Sequence, residues 1–230
     1  MKQLSYCVLA ILTILAAWTL QACNDDDNDY PINRPNALVT IKTNSSTGQI
    51  YLQLDDETTL FPTNMKTSTY GNKELRALAN LNIQRDPNGH YAKNTYVNWI
   101  DTIRTKNMVP SVGTKDDEVY GKDPVEIVKD WTTVVEDGYL TLRFRTYYDS
   151  YYGYGPKHSI DLVKGSGPYE VVLHHNAKGD TGKGYIRDGL VAFRLKDLPD
   201  TQGKTVNLTL KWQSFSGTKT VTFKYKSRQQ

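Results

Sequence analysis

The sequence predicts an all-β protein with two sheet domains in tandem, a small closed barrel followed by a two-sheet sandwich. Three observations lead there. Apolar and polar residues alternate with a period of two in segment after segment, most cleanly over 139–145, 206–212 and 221–226. Clusters of Gly, Asn, Asp, Ser and Pro punctuate those segments at turn spacing. The aromatic complement is lopsided, 16 Tyr against 5 Phe and 4 Trp, and Tyr, Val and Thr favour strands. With 38% hydrophobic and 23% charged residues in a chain of 230, there is apolar material for packed cores. That excludes a disordered or collagen-like chain.

The amino terminus reads as an address. Met1-Lys2-Gln3 is a short positive start, and Leu4 to Leu20 is mostly apolar but short for a spanning helix. Residues 1–22 are therefore expected to be a secretory signal. Leu20-Gln21-Ala22-Cys23 resembles a bacterial lipobox, which makes Cys23 the expected site of lipidation with palmitate-type chains. Several acyl chains, at about 0.8 kcal/mol per buried CH₂, anchor durably where one chain is marginal. The other cysteine, Cys7, lies inside the signal, so the mature chain is left without a disulfide, a Cys-based zinc site or a Cys nucleophile. Asp25, Asp26 and Asp27 follow Cys23 directly. A charge run like this is a solvated tether. It also resembles the acidic export signal of Bacteroidetes surface lipoproteins. The expected location is the outer membrane, lipid-anchored and facing the cell exterior, rather than the periplasmic side.

The elements then follow in order. Residues 23–36 are a polar tether. Residues 37–110 carry five or so short strands without a clear helix, including an alternating run over 74–84 and a strong turn at Asp86-Pro87-Asn88-Gly89, which suits an OB-like barrel. Residues 111–121 are polar and charged and read as a linker. Residues 122–230 hold seven strands separated by turns, the pattern of an immunoglobulin-like antiparallel β-sandwich able to close a core without the first half. Its buried face is expected to be Leu140, Leu142, Phe144, Ile160, Leu162, Leu208, Leu210, Trp212, Val221 and Phe223.

Three segments carry a family resemblance. Tyr139-Leu140-Thr141-Leu142-Arg143-Phe144, His158-Ser159-Ile160-Asp161-Leu162-Val163 and Val172-Leu173-His174-His175-Asn176-Ala177-Lys178-Gly179-Asp180 stand behind a lipoprotein-type signal. In this the chain resembles the NigD-like family of Bacteroidetes outer-membrane lipoproteins. The resemblance implies an N-terminal OB domain and a C-terminal β-sandwich over nearly the whole mature chain. Thr102-Ile103-Arg104-Thr105-Lys106 is similar to the usual end of that OB domain. The resemblance also implies a bacteriocin-immunity role as an alternative, since the founding member stands in a bacteriocin operon.

Chemistry-bearing constellations are few. His174 and His175 are adjacent on a strand and so point to opposite faces, which argues against a shared metal. Gly179-Asp180-Thr181-Gly182-Lys183-Gly184 lacks both the first Gly position and the Ser or Thr of a phosphate loop, and reads as a hairpin loop. No Gly-x-Ser-x-Gly or His-Glu-x-x-His occurs, and carboxylates cluster in turns, so no enzyme, cofactor or metal is expected. Residues 139–230 hold 15 Lys/Arg against 7 Asp/Glu. Many of these cations alternate with apolar residues, as on the solvent face of strands, so nucleic acid is not the expected partner.

One segment stands out for binding. Tyr147, Tyr148, Tyr151, Tyr152 and Tyr154 crowd a Gly/Ser/Asp loop, with Arg143 and Arg145 just before it as a rim. Tyr offers a rigid apolar face and a polar tip at low entropic cost. The expected function is a non-enzymatic surface protein that holds an extracellular protein, peptide or glycan. The alternatives are an immunity-type protein, a carbohydrate-associated accessory protein or degenerate glycosidase, and a structural envelope spacer.

Overall fold

The computed structural model describes residues 31–67, 70–84, 91–149 and 155–228. The first five strands are β1 (Ala37–Thr43), β2 (Ile50–Gln53), β3 (Thr59–Pro62), β4 (Leu75–Gln84) and β5 (Lys93–Thr102). They close into a barrel in the order β1-β2-β3-β5-β4. Alternation decides what faces inward. Val39, Ile41, Ile50, Leu52, Leu60, Ala77, Ala79, Leu81 and Val97 fill the barrel. Small Ala at two inward positions of β4 suits a lumen this narrow. The turns are held by side chains: Asn44 Oδ1 accepts from the amides of Ser46 and Thr47, and Asp55 Oδ1 from those of Glu57 and Thr58. The turn expected at 86–89 lies outside the described residues.

A single residue, Ile103, separates β5 from β6 (Arg104–Asn107), and there the chain changes domain. β6 pairs in parallel with β12 (Tyr185–Arg194). One sheet runs β6-β12-β9-β7, with β9 (Tyr139–Tyr148), β7 (Glu126–Val128), and β8 (Val134–Glu136) pairing β9 as well. The facing sheet is β10 (Ser159–Lys164), β11 (Glu170–Asn176), β13 (Val206–Ser214) and β14 (Gly217–Tyr225). Two pairs in this otherwise antiparallel sandwich are parallel, β6–β12 and β11–β13. The segment read as a linker holds a 3₁₀ turn, Gly113–Lys115, and the short helix α1 (Asp116–Tyr120).

Every residue expected on the inner face lies in or against one hydrophobic core. Leu140, Leu142, Ile160, Leu162, Leu208, Leu210 and Trp212 are buried, and Phe144, Val221 and Phe223 pack on them. Burying such a side chain contributes about 1.5–3 kcal/mol. Met108 from the end of β6 joins the same core.

Residues 35–230 form one compact unit. Its two domains meet through a polar seam. Arg76, on the outer face of β4, is fully buried. Its guanidinium donates to Thr40 Oγ1 at 3.1 Å, Thr141 Oγ1 at 3.4 Å and Glu136 Oε2 at 3.4 Å. Beside it Tyr139 donates to Glu74 Oε1 at 2.5 Å, and Arg228 bridges Glu74 and Asp137. The guanidinium groups of Arg76, Arg194 and Arg228 lie 5.8, 5.7 and 5.0 Å from the centre of the Tyr139 ring. A cavity of about 840 Å³ opens next to this seam, lined in part by Glu74, Tyr139, Arg194, Tyr225 and Arg228.

Candidate binding site at the sandwich end

Strand β9 positions the residues singled out in the sequence, and its pleat divides them. Leu140, Leu142 and Phe144 point into the core, so Tyr148 lies on that inner side. Arg143, Arg145 and Tyr147 lie on the outer side. Of the seven residues expected to form one site, the four that are described split between two faces, Tyr148 alone on the inner one.

On the outer face the arginines are matched by acids. Their cross-strand neighbours on β12 are Leu190 and Asp188, and Ile186 stands opposite Tyr147. Asp188 takes both cations, Arg143 through NH2 at 2.5 Å and Arg145 through Nε at 2.6 Å. Arg143 NH1 also reaches Asp130 Oδ2 at 2.7 Å. The bond from Arg145 holds the Asp188 carboxyl below the usual carboxylate range. Burial pushes Asp130 upward, but bonds from Thr132 and Arg143 outweigh it and leave it low. Two cations face two anions, and little net charge remains.

Beside these ion pairs stands an exposed apolar cluster. Tyr147 meets Phe215, in the β13–β14 turn, edge to face, with centroids 4.9 Å apart and planes at 77°. Ile186 is 57% exposed and Phe215 42%. They stand at one end of the sandwich.

On the inner face Tyr148 stacks on His158, with centroids 4.2 Å apart and planes at 15°. His158 Nδ1 lies 3.0 Å from His175 Nε2, and His158 Nε2 lies 3.3 Å from Asp180 Oδ2. Asp180 Oδ1 accepts the amide of Asp149 at 2.6 Å. A cavity of about 270 Å³ opens between the sheets here, lined in part by Phe144, Ile160, Val191, Tyr148, His158 and His175.

The two adjacent histidines diverge as the strand period requires: His175 turns to His158, while His174 Nδ1 sits 2.9 Å from Gly121 O. Among the described residues no group of three or more His, Cys, Asp or Glu is placed to hold a metal. The loop after β11 cradles the end of β9, and Gly182 and Gly184 serve close approach. A Cβ on Gly182 would fall 1.1 Å from Asp149 Oδ1. Cys23, Asp25, Asp26, Asp27, Tyr151, Tyr152 and Tyr154 lie outside the described residues.

The sequence reading missed Asp130, Asp188, Ile186, Phe215, His158 and Asp180. Asp188 and Ile186 fall on the first half of β12, which carries the strand formers Tyr185 and Ile186 but is interrupted by Gly189. Their pairing with β9 is a long-range contact that alternation alone does not report.

Comparisons with known proteins agree with this architecture. The model of the NigD-like C-terminal beta sandwich domain matches residues 107–225, and that of the NigD-like N-terminal OB domain matches residues 38–103. Among solved structures, a candidate toxin-related protein from Parabacteroides distasonis is 32% identical, with a TM-score of 0.67 over 83% of this chain and 92% of its own. A NigD-like immunity protein from Bacteroides caccae is 19% identical, with a TM-score of 0.56 over 83% and 96%. A candidate lipoprotein from Bacteroides fragilis is 17% identical, with a TM-score of 0.55 over 84% and 99%. The latter two show the fold alone. No curated protein matches. No helix among the described residues is long and apolar enough to cross a membrane.

Proposed function

The chain belongs to the NigD-like family, and on that premise we propose a non-enzymatic, lipid-anchored protein of the outer membrane, facing the cell exterior, that binds an extracellular protein, peptide or glycan through the end of its sandwich. The observation that carries the binding site is the Tyr147–Phe215 pair beside exposed Ile186. Clustered exposed apolar groups mark interaction sites, whereas single ones need no explanation. Arg143 and Arg145, matched by Asp130 and Asp188, offer little unneutralised charge, so recognition draws on aromatic area rather than on a phosphate backbone. Replacing Ile186 and Phe215 together with Ser tests it. An aromatic or apolar anchor is worth about 2 kcal/mol, roughly thirtyfold in affinity. On an array of glycans and peptides, any ligand captured by the wild type should be lost by this variant with folding unchanged. Equal capture by both sinks the site.

The anchor is tested apart from it. Cys23→Ala should move the protein out of the membrane fraction and abolish palmitate labelling. Replacing Asp25, Asp26 and Asp27 with Ala should lower protease accessibility on intact cells if the run directs export.

The names of two structural neighbours, toxin-related and immunity, favour a second reading in which the partner is a protein toxin. Capture of glycans but no protein by the wild type would remove that reading.

A further inference from the structure

We propose that His158, His175 and Asp180 form a proton-operated latch, which ties the chain leaving β9 and supports Tyr148 at neutral pH and lets both go on acidification. The latch is a property of the fold. Only its consequence, a binding end that responds to pH, rests on the binding reading above.

The three groups come from three stretches of chain. His158 precedes β10, His175 lies on β11, and Asp180 lies in the loop beyond. All are enclosed: His175 is 2% exposed and Asp180 5%. They form a row, with His175 and Asp180 on opposite nitrogens of the His158 ring. One end of the row holds the chain. Asp180 Oδ1 accepts the amide of Asp149, the residue after β9, and a Cβ on Gly155 would lie 2.8 Å from Asp180 Oδ2. One carboxylate therefore bonds Asp149 and fills the space in which a side chain at Gly155 would stand. The middle of the row holds Tyr148, whose ring lies flat on that of His158.

The contact between the imidazoles admits one hydrogen. At 3.0 Å one nitrogen donates and the other accepts. With a proton on each of the two facing nitrogens, two N–H groups stand face to face and the row breaks. The charges around the pair are mixed. Arg104 on β6 and Lys157 before β10 line the same cavity and oppose added positive charge. Arg187 on β12 acts on Tyr148. Asp180, Asp149 and Asp123 act the other way. Burial first, and the charge of His158 second, hold His175 below its ordinary 6.5 despite Asp123. His175 therefore stays neutral in the fold while the unfolded chain takes its proton. Stability falls as pH drops below 6.5, and levels off once His175 itself is charged.

The test is amide hydrogen exchange at Asp149 in the full chain, corrected for the intrinsic pH dependence of exchange. Between about pH 7.5 and about pH 5 the wild type should lose roughly tenfold or more of its protection. His175→Gln bonds to His158 without titrating and should keep protection at both values, while Asp180→Ala should lack it at both. If His175→Gln does not fold, the C2–H resonances of the wild-type histidines replace it, and one ring should titrate below 6.5 in step with the Asp149 amide. Unchanged wild-type protection, an equal loss in His175→Gln, or titration out of step with Asp149 overturns the latch. No partner enters these readouts, so their failure leaves the binding reading standing, and failure of the Ile186/Phe215 variant leaves the latch standing.

Discussion

Arg76 and Asp188 are both charged strand residues, and their surroundings give them different weight. Arg76 is sealed between the domains with Thr40, Thr141 and Glu136 as partners. Removing one member of a buried pair leaves the others without their counter-charge, at a cost of about 3 kcal/mol. Arg76→Ala should lower unfolding stability in urea by about that much, and Glu136→Ala added to it should cost less than it does alone. Asp188 sits at the surface with two arginines, where ion pairs are worth less than about 1 kcal/mol. Asp188→Ala should barely move the melting temperature, and a drop comparable to that of Arg76→Ala would refute this weighting. Alternation in the sequence did place Arg76 on the outer face of β4. Nothing in the sequence says that a second domain covers that face, so burial of this one cation was not legible. A third residue sets an alkaline limit. Burial raises the Tyr225 hydroxyl from 10.0 to about 12. The unfolded chain ionises first, so stability is full below pH 10 and is lost between 10 and about 12. Tyr225→Phe should reduce that loss in alkaline melting curves.

Strand β12 is the element the sequence under-read. Its second half is a continuous apolar run, but Gly189 and the charges of Arg187 and Asp188 hide the first half. The glycine is there for β9. A Cβ at position 189 would come within 2.5, 2.9 and 3.1 Å of three ring atoms of Phe144, which lies across the β12 backbone. Overpacking of this kind costs typically 1–3 kcal/mol. Gly189→Ala should destabilise by that amount, and Phe144→Leu in the same chain should recover part of it, because the smaller side chain vacates the space. Additive losses in the double variant would show that the contact is not the cause. Where a strand kept one uninterrupted period, as β9, β13 and β14 do, its inner face was read without error. Where a glycine serves a neighbouring strand, the sequence shows only a break.

At the scale of the whole molecule, the domains are joined by strand rather than by tether. Strand spacing in the sequence assigns 104–110 to the barrel and makes 122–230 a sandwich able to fold alone. β6, however, covers the edge of β12 at Val191–Arg194, and Met108 sits in the sandwich core. Without them that edge presents unpaired backbone groups, a route to aggregation. A fragment of residues 104–230 should melt cooperatively with a near-ultraviolet spectrum. A fragment of residues 122–230 should melt lower or aggregate, and equal melting of the two would show β6 to be dispensable. The one-residue step from β5 to β6 has a mechanical side as well. A chain held at its barrel and pulled at its sandwich takes the load along β6, whose 4 residues lie parallel to their neighbours on β12. Tension along a strand strains its cross-links in shear, together, where a pull at right angles would open them one at a time. Pulled this way, the joint between the domains resists as one set of bonds loaded together.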